Sequence, residues 1–333
     1  MDDHTVKRKT RCRGCDGADL EVVLSLGSTP LANAFLRADA LSTPEPSFPL
    51  DLQLCHGCGF VQLADVVSPE ILFRNYVYVS STSPVFVAHF QRLAVEGGGR
   101  IGLRPDALVV DIGSNDGILL RPFRDRGMRV LGVDPAVRIA EEATRSGIET
   151  LPTFFSARVA EEIVGTKGKA SLVTATSVFP HVDDLDDLVG GVRRLLADDG
   201  VFLVEAYYLG DLVEQNLFDT VYHEHLSYFS VRTMRSTLAR LGMEVFDVQK
   251  TETHGGSLRV LAQRTGGPHA ISASLGGMLT AEARLGLDRA STYREFAARI
   301  ERNRQGLLAL LRRLKGEGAT IAGYGAPAKG NTL

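Results

Sequence analysis

The sequence predicts an α/β protein: a doubly wound, mostly parallel sheet, preceded by a small metal-stapled module and followed by a helical segment that opens a third unit. Three observations carry that prediction. Between residues 107 and 206, short apolar runs alternate with stretches of helical periodicity, the pattern of buried parallel strands joined by crossover helices. The first of these runs, within Ala107 to Gly117 (ALVVDIGSNDG), ends on Asp111 and passes through a polar glycine turn into Ile118, Leu119 and Leu120. All four cysteines stand in two knuckles of one spacing, Cys12-Arg13-Gly14-Cys15 and Cys55-His56-Gly57-Cys58.

Composition limits what else the chain can be. Its 333 residues allow two or three domains. A content of 44% hydrophobic and 23% charged residues is ordinary for a globular protein. The formal net charge of -3 gives no global attraction to nucleic acid or to an anionic membrane. The first ten residues, MDDHTVKRKT, lack the apolar core of a secretory signal. No run approaches the roughly 20 apolar residues that span a bilayer. The expectation is a cytoplasmic monomer, where thiols stay reduced, with neither nucleic acid nor membrane as partner.

Residues 1–75 read as the metal module. Four thiolates fill a tetrahedral zinc site and leave no open position, so Cys12, Cys15, Cys55 and Cys58 are expected to hold a structural Zn2+. Such a centre carries about two negative charges, which Lys9, Arg11 and Arg13 stand close enough in sequence to offset. Disulfides or a redox motif are the competing readings, and His56 is expected in solvent. Phe48 to Leu54 should be a strand entering the second knuckle, with Phe60 to Leu63 as its return partner. A module this small folds poorly without its ion.

Residues 76–267 read as the central domain. Arg74 to Ser83 (RNYVYVSSTS) is either a turn-rich link with buried aromatics or a binding loop, and a helix is expected from Val85 to Gly97. Strands are expected near 108–113, 129–134, 149–154, 170–176 and 200–206, with helices near 117–126, 136–146, 156–164 and 184–197. Met243 to Glu252 and Ser257 to Gln263 read as two adjacent closing strands.

The turn after the first strand needs glycine because the backbone must approach a ligand or take positive φ. The helix beyond it presents free N–H groups. Asp134 ends the next strand, where a carboxylate can accept both hydroxyls of a ribose. The three-glycine dinucleotide spacing is absent; Asp111 to Gly117 instead resembles the first motif of class I methyltransferases. That family's loop holds the amino-acid half of S-adenosylmethionine, and its sheet closes with one antiparallel strand.

Residues 268–333 read as a helical segment and the start of a truncated C-terminal α/β substrate-binding domain. Thr292 to Leu314 is a long amphipathic helix whose arginines form a solvated face. Thr320 to Tyr324 reads as a strand, and Gly323 to Gly330 as a second glycine-rich turn. Only Asn331, Thr332 and Leu333 follow it. Weak nucleotide-sugar binding with normal donor affinity is the corresponding expectation.

The densest polar chemistry is Tyr222-His223-Glu224-His225, beyond the strand ending at Glu205 to Tyr208. In a helical turn Tyr222 and His225 would share a face. Histidine, with an unperturbed pKa of about 6.5, suits acid–base chemistry at neutral pH. Glu224 would orient a histidine or bond the substrate, and His181 points into the same crevice in such a fold. A satisfied structural cluster and a second metal are the competing readings.

The order CxxC, TPLANAF, CxxCGFVQL, DIGSNDG, VDP, YHEHLSYFS, HGGSLRV and GYGAPAKGNTL resembles the sugar C-methyltransferase family over the whole chain. Those enzymes add a branching methyl to nucleotide-linked deoxy-ketosugars in antibiotic pathways. The resemblance implies a zinc module, a class I S-adenosylmethionine methyltransferase core and a C-terminal domain, with the nucleotide, dTDP by expectation, between the last two. It implies that Tyr76, His181, Tyr222, Glu224 and His225 line the sugar site, with His225 as general base. Asp111, Gly113, Ser114, Asn115, Asp116, Asp134 and Ser177 would bound the donor, although the family usually has asparagine near Ser177. An enolate formed by loss of an α-proton would then attack the sulfonium methyl in line. Two other classes stay open: a class I O- or N-methyltransferase of another small molecule, and a zinc-ribbon protein that binds nucleic acid through KRKTRCR.

Overall fold

The computed structural model describes residues 6–74, 76, 78–324 and 328–332. The N-terminal part comprises β1 (Val6–Arg8), β2 (Leu20–Thr29), β3 (Phe48–Cys55), β4 (Val61–Leu63), β5 (Asp65–Val67) and α1 (Pro69–Phe73). β3 and β4 are the strand and return partner that the sequence predicts, and β2 extends them as an antiparallel meander. Nothing in the sequence marked β2. It is an edge strand with register shifts between Val22 and Leu24 and between Ser25 and Ser28. Bulges break the period-two alternation by which a strand is read.

Helix α2 (Pro84–Arg100) starts on a proline at its first turn, where the missing N–H is harmless. The central domain follows as β6 (Leu108–Ile112), α3 (Leu120–Arg124), β7 (Arg129–Val133), α4 (Val137–Arg145), β8 (Thr150–Leu151), α5 (Ala157–Lys167), β9 (Ala170–Thr176), α6 (Leu185–Leu195) and β10 (Leu196–Tyr207). It continues through α7 (Leu209–Glu214), β11 (Ser227–Tyr228), α8 (Val231–Arg240), β12 (Met243–Thr251) and β13 (Ser257–Arg264). The seven-stranded sheet runs β12-β13-β10-β9-β6-β7-β8. β6 to β10 are mutually parallel where they pair, and β13 is antiparallel to both its neighbours. All five residues of β6 are buried, as in a strand covered on both faces. The connections reverse direction between β6 and β9, and a ligand crevice opens at the carboxyl ends of strands at such a point.

β11 leaves this sheet. Ser227 and Tyr228 pair with Gln62 and Val61, so the sheet of the metal module reads β11-β4-β3-β2. The strand that follows the Tyr222–His225 segment is therefore built into the other module.

Helices α9 (Ala273–Leu285) and α10 (Ala290–Gly316) complete the described fold, and α10 buries Tyr293, Phe296 and Ile300. The expected strand at Thr320 to Tyr324 does not form. It has no ladder partner among the described residues, and apolar composition alone does not make a strand; Ile321 and Tyr324 are exposed instead. Of the predicted second glycine turn, Gly325, Ala326 and Pro327 lie outside the described residues, as do Asn75 and Val77 of the link. Ala328–Asn331 is one 3-10 turn, tied back by Asn331 Nδ2 to the Pro30 carbonyl at 2.7 Å and by Thr332 Oγ1 to the Val221 carbonyl at 2.8 Å. No described helix is long and apolar enough to cross a membrane.

Candidate active site and metal centre

The turn after β6 is bent by three residues in the left-handed region: Gly113 at φ 68°, Asn115 at 50° and Gly117 at 78°. A Cβ on Gly113 would lie 2.1 Å from Val178 Cγ2, so the turn needs glycine twice over, for its φ and for its approach to the end of β9. Asp111 is buried beneath it, and burial pushes its carboxyl up to about 7 against the hydrogen bond that Thr174 Oγ1 donates at 2.6 Å. Asp134 holds the turn from β7. Its Oδ2 accepts from the Asn115 N–H at 2.8 Å and its Oδ1 from the Ala136 N–H at 2.9 Å.

Each of those carboxylate oxygens keeps a second lone pair, so the ribose role expected of Asp134 fits beside this backbone role. Ser114 Oγ and Asp116 Oδ1 are buried without a hydrogen-bond partner among the described residues. A polar donor molecule seated on the turn would satisfy such groups. Ser177 stands across the crevice at φ 58°, with its N–H on the Glu205 carbonyl at 2.8 Å. Asparagine adopts that conformation more readily than serine, so the departure from the family pattern falls on a strained position. Asp134→Ala is expected to weaken S-adenosylmethionine binding by about 1.5–3 kcal/mol, as charge-assisted hydrogen bonds are lost. Titration calorimetry checks this, and unchanged affinity would remove Asp134 from the donor site.

The link before α2 is docked on the same turn. Ser80 N–H donates to Asn115 Oδ1 and Asn115 Nδ2 donates to the Tyr78 carbonyl, each at 2.9 Å. Tyr76, two residues earlier, donates its hydroxyl to Glu224 Oε2 at 3.4 Å. These contacts dock the described residues of the link between the glycine turn and Glu224.

Tyr222 to His225 forms a tight turn, with the His225 N–H on the Tyr222 carbonyl at 2.9 Å. The two rings meet at 4.0 Å, as the spacing predicts. Tyr207 packs on His225 at 4.5 Å, His181 stacks on it at 5.1 Å, and Phe73 stacks on His181 at 5.5 Å. His225 Nδ1 lies 2.6 Å from the Thr220 carbonyl oxygen. A carbonyl only accepts, so Nδ1 carries the hydrogen and the neutral ring holds its lone pair on Nε2.

Burial, and after it the Glu224 carboxylate, raises the Tyr76 hydroxyl. Burial, and after it Tyr207, does the same for Tyr222. Both phenols therefore stay protonated donors at neutral pH. Burial also raises the Glu224 carboxyl, against hydrogen bonds from Asn33 and Tyr76. His223 faces the other way, with its Nε2 3.2 Å from the Phe48 carbonyl and its ring edge-on to Phe48.

The five predicted acceptor residues thus converge. Sequence reasoning missed Asn33, whose Nδ2 is 2.5 Å from Glu224 Oε1, together with Tyr207 and Glu205. Glu205 is buried between His89 Nε2 at 2.7 Å and Arg259 Nε at 3.1 Å, and so anchors the end of β10. TPLANAF did mark the Asn33 stretch, but nothing local in it pointed to a residue 191 positions away.

In the metal module the four cysteine sulfurs lie within 4.8 Å of one another. Cys12 and Cys58 are 3.6 Å apart and Cys15 and Cys55 3.7 Å. Sulfurs bonded at about 2.3 Å to one tetrahedral zinc sit about 3.8 Å apart, whereas a disulfide needs about 2.05 Å. The four thiols fit the ion and not a pair of disulfides. His56 stands outside the group, on Glu21 at 2.9 Å.

The neighbouring cations have carboxylate partners: Lys9 and Arg13 on Asp183, Arg11 on Asp16, and Arg8 on Asp65. Much of the basic run is thus paired with carboxylates within the fold. Arg13 Nη1 also donates to the Leu63 and Leu226 carbonyls at 3.0 and 3.2 Å, clamping the first knuckle to the segment just after His225.

Known proteins match this arrangement part by part. A family model described as "putative zinc binding domain" matches residues 12–73, a methyltransferase domain model 87–248 and a C-methyltransferase C-terminal domain model 252–333. C-methyltransferase NovU of Streptomyces niveus is 42% identical over 322 residues, covering 97% of this chain and 77% of NovU. A malonyl-[acyl-carrier protein] O-methyltransferase of Geobacter sulfurreducens is 29% identical over 168 residues, 46% of this chain and 62% of that protein. Among solved structures, magnesium protoporphyrin IX methyltransferase of Synechocystis PCC 6803 with bound SAH covers 54% of this chain and 85% of its own, at 20% identity and a TM-score of 0.42. The methyl donor is S-adenosylmethionine and the structural metal is zinc. With a C-methyltransferase C-terminal domain at one end, four clustered cysteines at the other and 42% identity to NovU over 97% of its own residues, the chain belongs to the zinc-containing sugar C-methyltransferase family.

Proposed function

We propose that this C-methyltransferase adds its methyl to the ring carbon beside the ketone of a nucleotide-linked deoxysugar, dTDP being the nucleotide. The observation that supports it best is the His225 ring, held by the Thr220 carbonyl at Nδ1 and walled by Tyr222, Tyr207 and His181. A carbon nucleophile must be made by removing an acidified C–H proton, which calls for a base with a defined lone pair. On this reading His225 Nε2 takes the α-proton. The Tyr222 hydroxyl or a water steadies the charge on the enolate oxygen, a well-placed donor being worth about 3 kcal/mol. S-adenosylmethionine supplies an electrophilic methyl whose transfer leaves a neutral sulfur. Gly113 to Gly117 and Asp134 would hold it, and Tyr76, Tyr78 and Ser80 would stand beside both sites. Alignment of carbon, methyl and sulfur is the remaining task.

The test is NMR of the product formed from S-adenosylmethionine and dTDP-linked 4-keto-6-deoxyhexoses, with exchange of the α-hydrogen in deuterium oxide without methyl donor. A new C–CH3 signal and donor-independent exchange are expected. A methyl found on oxygen or nitrogen would overturn the reading.

A further inference from the structure

We infer that Asn33, a residue of the zinc module, is a positioning residue for the methyl transfer, its side-chain amide holding the Glu224 carboxylate in the acceptor site. The inference rests on the function proposed above. The loop that carries Asn33, between β2 and β3, lies largely on the surface: Phe35 is 66% and Leu41 71% exposed. Asn33 itself is half-buried, and its Nδ2 donates to Glu224 Oε1 at 2.5 Å. Tyr76 donates to Oε2 at 3.4 Å, so each carboxylate oxygen has one donor, and the two come from different parts of the chain.

Glu224 is 2% exposed and makes no ion pair among the described residues. A buried carboxylate without a cation depends on such donors. The charged and titratable groups facing it are Tyr76, Tyr207 and Tyr222, all acidic when they ionise. Asn33 is thus the neutral donor that fixes the plane of the carboxylate one residue before His225. Without it, Oε1 is left unsatisfied and the carboxylate can rotate or take a proton. A bond that served only to anchor the loop would have the same geometry, so the two roles must be separated by where the loss is felt.

The experiment uses the full zinc-loaded chain with a dTDP-linked 4-keto-6-deoxyhexose and S-adenosylmethionine. Wild type, N33A, the isosteric N33D, E224Q and N33A/E224Q are compared in kcat, in KM, in zinc content and in affinity for S-adenosylhomocysteine. N33A is expected to keep its zinc and its S-adenosylhomocysteine affinity and to lose about 10- to 100-fold in kcat. N33D, which sets one carboxylate against another, is expected to lose more. On the E224Q background N33A is expected to change kcat by less than about 2-fold, because the two residues act as one unit.

Three results would overturn the inference: N33A as fast as wild type, the same loss of rate with and without Glu224, or loss of zinc in N33A and N33D alike, which would mark a loop anchor. Should N33A fail to fold, N33D decides, wild-type kcat overturning the inference and slow turnover with zinc retained supporting it. A wild-type protein that neither methylates the sugar nor exchanges its α-hydrogen overturns the proposed function and the inference with it.

Discussion

His225→Asn is expected to lower kcat by about 10²–10⁴-fold, the usual contribution of a positioned general base, and to leave S-adenosylhomocysteine affinity unchanged. The size of the effect follows from the geometry. Nδ1 is committed to the Thr220 carbonyl at 2.6 Å, so the ring works through Nε2 alone. Asparagine keeps an N–H for Thr220 and so preserves the turn, but its other atom is an amide, which takes no proton at neutral pH. His223 is a poor substitute: it faces the Phe48 carbonyl, and burial lowers its pKa. Two readouts check the assignment, steady-state turnover and α-hydrogen exchange without methyl donor, and both should fall together. Turnover at the wild-type rate would move the role to His181 or Tyr222, whose rings stand 5.1 and 4.0 Å from that of His225.

The central sheet was legible because strands covered on both faces must be apolar throughout. Leu108-Val109-Val110 and Val130-Leu131 advertise themselves, and glycine at 113 and 117 punctuates the first turn. β2 was not legible, because its bulges spoil the alternation. β11 was not, because two residues carry no period at all. Thr320 to Tyr324 misled in the opposite sense: its composition suits a strand, but strands are made by neighbours, which composition does not report. The residues expected at the acceptor site were singled out by polar density and position, and their separate roles came only from the resemblance. YHEH contains two histidines, and only their tertiary contacts, Phe48 for His223 and Thr220 for His225, tell the two rings apart. Asp134 does follow the second parallel strand, but its two backbone hydrogen bonds depend on the path of the loop and leave no mark in the sequence.

Replacement of Cys55 by serine, or chelation of the ion, is expected to abolish turnover while donor binding persists. Cys55 is fully buried, and its sulfur completes the four-thiol group. Structural zinc contributes about 10–16 kcal/mol in isolated finger peptides, more than the whole stability of many small domains. The N-terminal sheet should therefore not survive the loss of its ion.

The consequence reaches the acceptor site by three routes. β4 holds β11, which begins two residues after His225. Arg13, inside the first knuckle, clamps the Leu226 carbonyl at 3.2 Å. The loop from β2 to β3 brings Asn33 to Glu224. The glycine turn, by contrast, is built on β6 and β7 of the other sheet: Asp134, just after β7, accepts from the Asn115 N–H, and Thr174 of β9 bonds Asp111 of β6 beneath it. Elemental analysis should give about one zinc per chain in the wild type and none in Cys55→Ser. Calorimetry should show S-adenosylhomocysteine still bound, and the sugar should be neither methylated nor exchanged. Full turnover without zinc would mean that the acceptor segment holds its shape unaided, and the metal module would lose its place in the chemistry.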